Sequence, residues 1–471
     1  MIKKYTAVLL FTGVLISGII FFTGCESSVM QEKNPPNIIW IMADDLGYGD
    51  LGVYGQEVIQ TPRLDQMASE GLMFTQFYSG HTVCAPARSS LMTGQHTGRT
   101  RVRGNRSSAT GDRVPLRPED TTVAEVLQQA GYTTALIGKW GLGEPETTGI
   151  PNKKGFDYFY GFLNQARAHT YYPEWVWRNT DQVVLEGNLD GQRGEYTHDL
   201  DMEEAMTFVS ENRDNPFFLY LALQIPHAEL LVPEDSLEDY LDENGNSIFE
   251  EIPFEGAGNY SAQEMPNATF AAMVTRMDRD IGRLLDLLDE IGIDENTIVF
   301  FTSDNGPHAE GGYDPDYFNS NGPLRGIKRD LYEGGIRVPM IVRMPGTVPA
   351  GEESGQVWSM WDFLPTAAEL AGVEPPEDID GISMVNALYG QSQQDPEYLY
   401  WEFHEGRFSQ AVRFGDWKAV RNNFDQPIEL YNLAEDIGEE QDLADDYPDI
   451  VARAEELIQS ARTETEHWPV E

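Results

Sequence analysis

The stretch NIIWIMADDLG, residues 37–47, is an apolar run that ends in two carboxylates, Asp44 and Asp45. An uninterrupted apolar run of this length is typical of a strand that is buried on both faces of a parallel sheet. Three later segments repeat this arrangement of a short apolar run followed by polar side chains: residues 133–139, which end in Lys139; residues 217–227, which end in His227; and residues 297–305, which end in Asp304 and Asn305.

Helical patterns separate these apolar runs. Apolar residues recur at helical spacing over residues 119–130 and over residues 261–291. Strands that alternate with helices predict an α/β fold with a wound sheet. Because ligands bind such sheets outside the carboxyl ends of the strands, we expect the following side chains to converge: Asp44, Asp45, Lys139, His227, Asp304 and Asn305.

The carboxylates and the amide of this set are hard oxygen ligands. Asp44 and Asp45, joined by Asp304 and Asn305, suit Ca²⁺ or Mg²⁺ better than Zn²⁺, and we favour calcium over magnesium. Without a cation the clustered carboxylates would repel one another. The alternative is that the two adjacent aspartates form a helix-capping turn.

The composition predicts a folded, acidic protein. The chain has 471 residues, of which 41% are hydrophobic and 11% aromatic, and 78 acidic residues against 32 basic ones give a formal net charge of −46. This much apolar material can form a large core, which excludes disorder for most of the chain. The charge repels phosphate backbones, which argues against nucleic acids as partners.

Residues 1–24 have the pattern of an export signal. Two lysines precede an almost wholly apolar run, residues 7–23, and small residues stand directly before Cys25. This ending resembles the lipobox of bacterial lipoproteins, which predicts a lipid on Cys25 and a linker over residues 25–36. The protein would then be exported to the bacterial cell envelope, in the periplasm or at the cell surface, with lipid as its only membrane anchor. An uncleaved membrane helix is the alternative, although the run is at the short limit for spanning.

The most specific motif is CAPARSSLMTG, residues 84–94. It resembles the maturation signature of type I sulfatases, in which Cys-x-Pro-x-Arg is followed by Thr-Gly and the cysteine is oxidised to formylglycine. A lone cysteine such as Cys84, taken without its neighbours, is more often a buried apolar thiol. Further segments are similar to sulfatase blocks, in the order of the family: residues 44–47, 138–140, 226–227, 303–306 and 326–339.

The resemblance, which extends to bacterial carbohydrate sulfatases of the arylsulfatase A type in the alkaline phosphatase superfamily, implies the fold. We expect a large mixed sheet flanked by helices on both faces in a catalytic domain, residues 37–390, and a smaller C-terminal subdomain, residues 391–471. Short alternating runs and a helical pattern predict an antiparallel sheet with a helix in that subdomain: residues 398–403, 410–413, 417–421, 428–431 and 449–462.

Cleavage of a sulfate ester needs a nucleophile, positive charge near the anionic oxygens and an acid for the departing alcohol. The resemblance implies that Cys84 becomes the nucleophile and a metal ligand, after oxidation by a formylglycine-generating enzyme or an anaerobic sulfatase-maturating enzyme. The helical pattern after Cys84 predicts a position at a helix N terminus, which favours anions. Arg88 adds positive charge, and Lys139 and Lys328 are expected at the sulfate oxygens. Lys328 or His227 is expected to protonate the alcohol.

One block departs from the family. Many sulfatases read Gly-Lys-Trp-His-Leu-Gly where residues 138–143 read GKWGLG, so Gly141 replaces a histidine that is associated with holding the formylglycine and helping sulfate to leave. We expect His169 or His96 to occupy the space, in a variant of the mechanism.

Residues 164–178 are dense in aromatic and polar side chains. These side chains either stack on sugar rings or pack beneath a long loop. His169, His308 and Arg325 are candidate contacts to sugar hydroxyls or to a second anionic group of the substrate. The resemblance implies exo action on sulfated galactose or N-acetylgalactosamine units of a marine galactan or a glycosaminoglycan.

Two other functions stay open on the sequence. The first is hydrolysis of phosphonate or phosphate esters, because some relatives in the superfamily also use formylglycine for it. The second is binding of sulfated glycans at the cell surface without catalysis, because Gly141 replaces a functional histidine.

Overall fold

The computed structural model describes Met1, residues 35–258 and residues 260–470. Contacts group Pro35–Glu471 into one compact unit, which contains every strand and helix named below. Within these described ranges, no helix combines the length and the apolar character that crossing a membrane requires. The predicted signal segment and Cys25 lie outside the described residues.

The strands of the described residues form three sheets. Their bounds are β1 (Asn37–Ala43), β2 (Leu72–Phe74), β3 (Phe77–Tyr78), β4 (Thr133–Lys139), β5 (Tyr158–Phe162), β6 (Trp175–Arg178), β7 (Asp181–Val184), β8 (Phe217–Ala222), β9 (Thr297–Ser303), β10 (Met340–Arg343), β11 (Glu352–Ser354), β12 (Trp358–Ser359), β13 (Leu399–Phe403), β14 (Ser409–Phe414), β15 (Trp417–Arg421) and β16 (Glu429–Asn432).

The α-helices lie between and after these strands. Their bounds are α1 (Pro62–Ser69), α2 (Cys84–Thr93), α3 (Val123–Gln129), α4 (Thr197–Asn212), α5 (Pro266–Glu290), α6 (Glu333–Ile336), α7 (Phe363–Leu370), α8 (Val385–Leu388) and α9 (Pro448–Ala461).

The large sheet is mixed, as predicted. Its strand order is β11-β2-β10-β9-β1-β8-β4-β5-β6-β7. The five central strands, β9, β1, β8, β4 and β5, are parallel to one another, whereas β10 runs antiparallel to β9 and β6 runs antiparallel to β5. Every residue of β1 is buried, because helices cover both faces of the sheet.

Alternate side chains of β1 belong to two different cores. Ile39 and Ile41 pack into one apolar cluster together with residues of α1, α4 and α5, and Trp40 and Met42 pack into another with residues of α2, α3 and α7. Successive side chains of a strand point to opposite faces of the sheet. A continuous apolar run can therefore supply both layers, which confirms the predicted helices on both faces.

A second, four-stranded sheet lies near the C terminus. Its order is β13-β14-β15-β16, and all its pairs are antiparallel. Leu457 and Ile458 of α9 share an apolar cluster with Tyr400 and Val412 of the sheet. The predicted antiparallel sheet with a helix is confirmed, and the division at residues 390 and 391 stays a prediction.

Two helices begin later than the hydrophobic pattern predicts, each for a local reason. Helix α3 begins at Val123 because Thr122 and Glu125 form a capping box, in which Glu125 N donates to Thr122 Oγ1 and Thr122 N donates to Glu125 Oε2. Helix α5 begins at Pro266, since the residue before a proline disfavours helical backbone and proline suits the first helical turn.

Candidate active site

The carboxyl ends of β1 and β9 bring the predicted carboxylates together. Backbone hydrogen bonds continue past both strands, from Asp304 N to Ala43 O at 3.0 Å and from Asp44 N to Ile225 O at 3.2 Å. Asp45 has a φ of 68° and turns the chain back at this point, where its N–H donates to Asp304 Oδ1 at 3.1 Å. Parallel strands end at the same edge of a sheet, so residues some 260 positions apart meet here.

Asn305 completes the oxygen cluster. Its Nδ2 donates to Asp45 Oδ1 at 2.7 Å and also to the carbonyl oxygen of Gly306. Its Oδ1 is buried and accepts no hydrogen bond from any side chain or backbone group that the structure describes. A buried acceptor that protein donors leave unsatisfied is costly unless a cation or another ligand contacts it.

Three cationic side chains surround the three carboxylates. Lys139 Nζ lies 2.5 Å from Asp44 Oδ2, and Lys328 Nζ lies 2.6 Å from Asp45 Oδ2. Arg88 Nη2 completes the set at 2.8 Å from an oxygen of Asp304. These charges balance one another, so a divalent cation would make the buried site positive and complementary to an anion.

Burial and pairing set the pKa values in this cluster. Burial would raise the pKa of Asp45, but the Lys328 ammonium holds it well below its usual value. Burial would lower the pKa of Lys328, but Asp45 raises it well above its usual value. Burial, with the Asp44 charge adding to it, raises the pKa of Asp304 to about 7. The Asp45–Lys328 pair is therefore ionised at neutral pH.

Cys84 is the first residue of α2, so the predicted helix N terminus is confirmed. Its Sγ donates to Asp44 Oδ1 at 3.4 Å. Burial, followed by the charge of Asp44, raises the pKa of the thiol well above its usual value. Because the thiolate is the nucleophilic form of cysteine, the unmodified side chain is a poor nucleophile at neutral pH.

His227 links the lysine to the neighbouring loop. Its Nε2 lies 3.2 Å from Lys328 Nζ and 3.3 Å from Asp45 Oδ2, and its Nδ1 contacts the carbonyl oxygen of Ala228. Burial holds the pKa of His227 well below its usual value, so the ring is neutral. A hydrogen on Nδ1, donated to Ala228, leaves Nε2 as an acceptor for the Lys328 ammonium.

A cavity of about 190 Å³ opens onto Cys84, His227 and Lys328. Mostly basic and amide side chains line the rest of it, together with Tyr260 and the carboxylate of Glu310, and the ring of His169 stacks on that of His227 with centroids 4.0 Å apart. The further lining residues include Asn105, Arg106, Arg113, Gln165 and Arg329. The chain thus presents a positively charged hollow on a strongly acidic protein.

Comparisons with known protein families show which family this chain belongs to. The family model described as Sulfatase matches residues 36–373, and that described as N-sulphoglucosamine sulphohydrolase, C-terminal, matches residues 327–464. This chain belongs to the sulfatase family. It is a sulfuric ester hydrolase of the alkaline phosphatase superfamily, which confirms the fold and the enzyme class predicted from the Cys84 motif.

Sulfatase relatives cover most of the chain. An N-acetylgalactosamine-6-sulfatase of Canis lupus familiaris is 33% identical over 82% of this chain and 71% of its own. An N-acetylgalactosamine-6-O-sulfatase of Bacteroides thetaiotaomicron is 27% identical over 95% of this chain and 98% of its own. The crystal structure of Ps i-CgsB in complex with k-i-k-neocarrahexaose has a TM-score of 0.75 and 29% identity, over 93% of this chain and 95% of that chain.

The donor set of this sulfatase fits a divalent metal, which the family generally uses together with formylglycine. Asp44, Asp45, Cys84 and His227 each place a potential ligand atom within 4.8 Å of the others. The unsatisfied oxygen of Asn305 and the carboxylates beside it are hard donors. The structure therefore contains a buried acidic cluster of the metal-binding kind.

The three predicted sugar contacts, His169, His308 and Arg325, differ in whether they line the cavity. His308 is completely buried behind the cavity wall, where its Nδ1 accepts from Glu310 N at 2.9 Å. Arg325 lies outside the cavity, with its guanidinium over the ring of Tyr332 at 3.9 Å and Nη1 bonded to the carbonyl oxygen of Glu439. Of the three predicted sugar contacts, only His169 lines the cavity.

Of the two histidines expected beside Gly141, His96 does not occupy this space, whereas His169 lines the cavity that Cys84 borders. His96 packs against Tyr400 and lies 3.6 Å from Asp380, in a different part of the fold. A side chain built on Gly141 would instead meet the amide of Gln165.

Sequence reasoning missed several polar residues that line the cavity, among them Gln165, Arg106 and Arg113. Gln165 lies within residues 164–178, after β5, where the many aromatic residues directed the interpretation to ring stacking. Arg106 and Arg113 lie in residues 99–117, a segment with six arginines in a chain that has few. That local excess of positive charge was the available signal, because an acidic protein that admits an anion needs a local basic surface.

Proposed function

We propose that this protein hydrolyses sulfate esters of a sulfated carbohydrate, acting on terminal sulfated galactose or N-acetylgalactosamine units of a galactan or a glycosaminoglycan. One observation carries the proposal. Cys84 stands at the start of a helix, in contact with Asp44 and beside three buried cationic side chains, at the floor of a small cavity. This arrangement supports attack on an anionic ester.

Formylglycine at position 84 supplies a hydrated aldehyde. One of its hydroxyls attacks the sulfur atom as the bond from sulfur to the ester oxygen breaks and the alcohol leaves, and the second hydroxyl, on losing its proton, then expels sulfate and restores the aldehyde. The raised pKa of the unmodified thiol supports this, since the thiol itself is a poor nucleophile. The start of α2 directs backbone N–H groups toward the anion. We infer that a formylglycine-generating enzyme or an anaerobic sulfatase-maturating enzyme carries out the modification.

We infer that Ca²⁺ occupies the acidic cluster and supplies positive charge against the ester oxygens. Residues Asp44, Asp45, Asp304 and Asn305 would hold it, together with the modified residue 84. Oxygen donors without a histidine among these four favour calcium or magnesium, and calcium tolerates the irregular geometry of such a set better.

Two lysines and a histidine complete the reaction. Lys139 and Lys328 lie on the two sides of the aspartate pair and neutralise the sulfate oxygens. Lys328 also faces the cavity and donates to the neutral ring of His227. We assign to this pair the proton that the departing alcohol needs, because both side chains border the space where the alcohol leaves.

The carbohydrate substrate follows from relatives and from the cavity. Two relatives are named N-acetylgalactosamine-6-sulfatases, and the structure of Ps i-CgsB holds a neocarrahexaose. Arg106 and Arg113 place positive charge at the cavity, and His169 presents an aromatic face. These groups suit a sugar that carries anionic substituents.

We further propose that the protein is exported as a bacterial cell-envelope lipoprotein with lipid on Cys25. The pattern of residues 1–25 supports this proposal. An extracytoplasmic enzyme would meet polysaccharide fragments that are too large to enter the cytoplasm.

The test is the mass of the proteolytic peptide that contains residue 84, measured on protein produced with a maturing enzyme, together with sulfate release. We expect the mass of an aldehyde or its hydrate and release of sulfate from an aryl sulfate. Cys84→Ala is expected to abolish release. A matched aryl phosphate separates sulfatase from phosphatase activity. An unmodified thiol in fully matured protein, with sulfated oligosaccharide bound and no sulfate released, would overturn the proposal in favour of a glycan-binding protein.

A further inference from the structure

The loop after β5 lies against the segment that contains Gly141. Trp140 N donates to Phe162 O at 2.9 Å, and Gly141 N donates to Leu163 O at 3.1 Å. These bonds extend the parallel pairing of β4 and β5 beyond both strands. The residues that follow Leu163 therefore lie directly beside the glycine that replaces the family's histidine.

Gly141 leaves room for Gln165. Its φ of +87° is in the left-handed region, and a Cβ at this position would overlap the Gln165 amide. The space beside Gly141, which follows β4, is therefore filled by the side chain of Gln165, which lies in the loop after β5.

The amide of Gln165 is buried, and both its donor and its acceptor atom are unsatisfied. The residue is 6% exposed, and neither Nε2 nor Oε1 has a partner among the described groups of the chain. The same side chain lines the cavity that Cys84 and Lys328 border. Leaving a buried amide unsatisfied is costly, so its position is explained best if a ligand in the cavity completes its hydrogen bonds.

We propose that the Gln165 amide binds the sulfate group, with Nε2 donating to a sulfate oxygen beside Gly141. The proposal rests on the proposed function, since it names a further contact to the same group. An NH₂ donor suits an anion, and the cationic lining brings the anion to this part of the cavity. An amide does not titrate near neutral pH, so this contact is one of binding and not of proton transfer.

The test is calorimetric titration of inorganic sulfate into the full-length protein, loaded with calcium and carrying Cys84→Ala so that no turnover occurs. In this background Gln165→Leu keeps the approximate size of the side chain and removes the donor. We expect it to weaken sulfate binding about tenfold or more. Gln165→Glu keeps the shape and adds a negative charge, so we expect a larger loss. Gln182→Leu, at an exposed glutamine of β7, is the matched control and should leave the affinity unchanged.

An unchanged affinity in Gln165→Leu would overturn the inference. If Gln165→Leu does not fold, as judged from its thermal transition, Gln165→Glu decides the question, because an unchanged affinity there also overturns it. Turnover by the matured parent separates this inference from the proposed function. If the matured parent releases sulfate from esters but Gln165→Leu binds sulfate as tightly as its own background, only the role of Gln165 is refuted. If Gln165→Leu weakens sulfate binding but the matured parent releases no sulfate from any ester, only the proposed function is refuted.

Discussion

Arg88 Nη2 lies 2.8 Å from Asp304 Oδ2, and both side chains are completely buried. The other terminal nitrogen, Nη1, donates to the carbonyl oxygen of Lys139 at 2.7 Å. Lys139 ends β4 and Asp304 follows β9, with β8 and β1 between them in the sheet. One guanidinium therefore joins helix α2 to the ends of two strands that are not neighbours, which holds the edge of the sheet around Cys84.

We expect Arg88→Lys to lose activity although it keeps the charge. An ammonium lacks the planar fork that reaches Asp304 and Lys139 O together. Arg88→Ala should also lower stability by about 3–5 kcal/mol, because it leaves a buried carboxylate without its partner. Sulfate release and thermal unfolding measure the two effects.

The matched control is Arg213→Ala, which removes the exposed arginine beside Asp214. Exposed pairs contribute about 0–1 kcal/mol, so this variant should keep its stability and activity. If Arg88→Lys released sulfate at the rate of the parent, the bridging role of the guanidinium would be refuted.

Removal of calcium should lower the thermal transition temperature of the protein. A cation that binds only the folded state stabilises it in proportion to the logarithm of its concentration relative to Kd. We expect EDTA to lower the transition temperature, calcium to restore it, and magnesium to restore it less. Asp45→Asn, which removes one ligand charge, should abolish most of the calcium response.

Asp242→Asn is the control for this experiment, because Asp242 lies in an exposed, acidic loop that could hold a weak surface ion. It should respond to calcium as the parent does. A response that is lost in Asp242→Asn and kept in Asp45→Asn would place the stabilising ion at the surface and contradict the buried metal site.

Arg106→Ala and Arg113→Ala should impair binding of a sulfated oligosaccharide more than that of a small aryl sulfate. Both arginines line the cavity, where they can pair with further anionic groups of a large substrate. We expect KM for the oligosaccharide to rise about fivefold or more and kcat for the aryl sulfate to change little. Salt should reduce the difference, because it screens these charges.

Arg117→Ala is the matched control, since Arg117 lies on the same arginine-rich segment, is half exposed and pairs with Asp120. Its KM for the oligosaccharide should stay near that of the parent. Equal effects of all three substitutions would indicate general electrostatic attraction and not contacts within the cavity.

Ionisation of the buried Asp362 side chain should lower the free energy of unfolding of the protein as the pH rises from about 4 to 7. Its side chain accepts from Ser359 N at 2.8 Å and from Ile382 N at 2.9 Å, and burial raises its pKa from 3.8 to about 7. Between these values the folded protein binds a proton that the unfolded chain has released. The free energy of unfolding therefore falls with rising pH in this window.

Asp362→Asn cannot titrate, so it should lose less stability than the parent between pH 4 and 7. Unfolding by urea at several pH values measures both curves. Asp214→Asn, at an exposed aspartate, controls for the loss of one negative charge. Parallel curves for the parent and Asp362→Asn would show that Asp362 does not carry the effect.

The sequence was sufficient for the central strands and for most of the site. Continuous apolar runs identify buried parallel strands, and such strands end at one edge, so Asp45 and Asp304 could be brought together without coordinates. The signature at Cys84 likewise identified the family, because its residues are close together in the chain.

Contacts between loops required the tertiary structure. The direction in which Arg325 points, over Tyr332 and away from the cavity, depends on packing against the C-terminal sheet. The pairing of Gly141 with Gln165 depends on how far β4 and β5 extend together and on a loop whose backbone no local pattern specifies. Local sequence determines which residues end a strand, whereas packing between distant segments decides which side chain fills the space beside them.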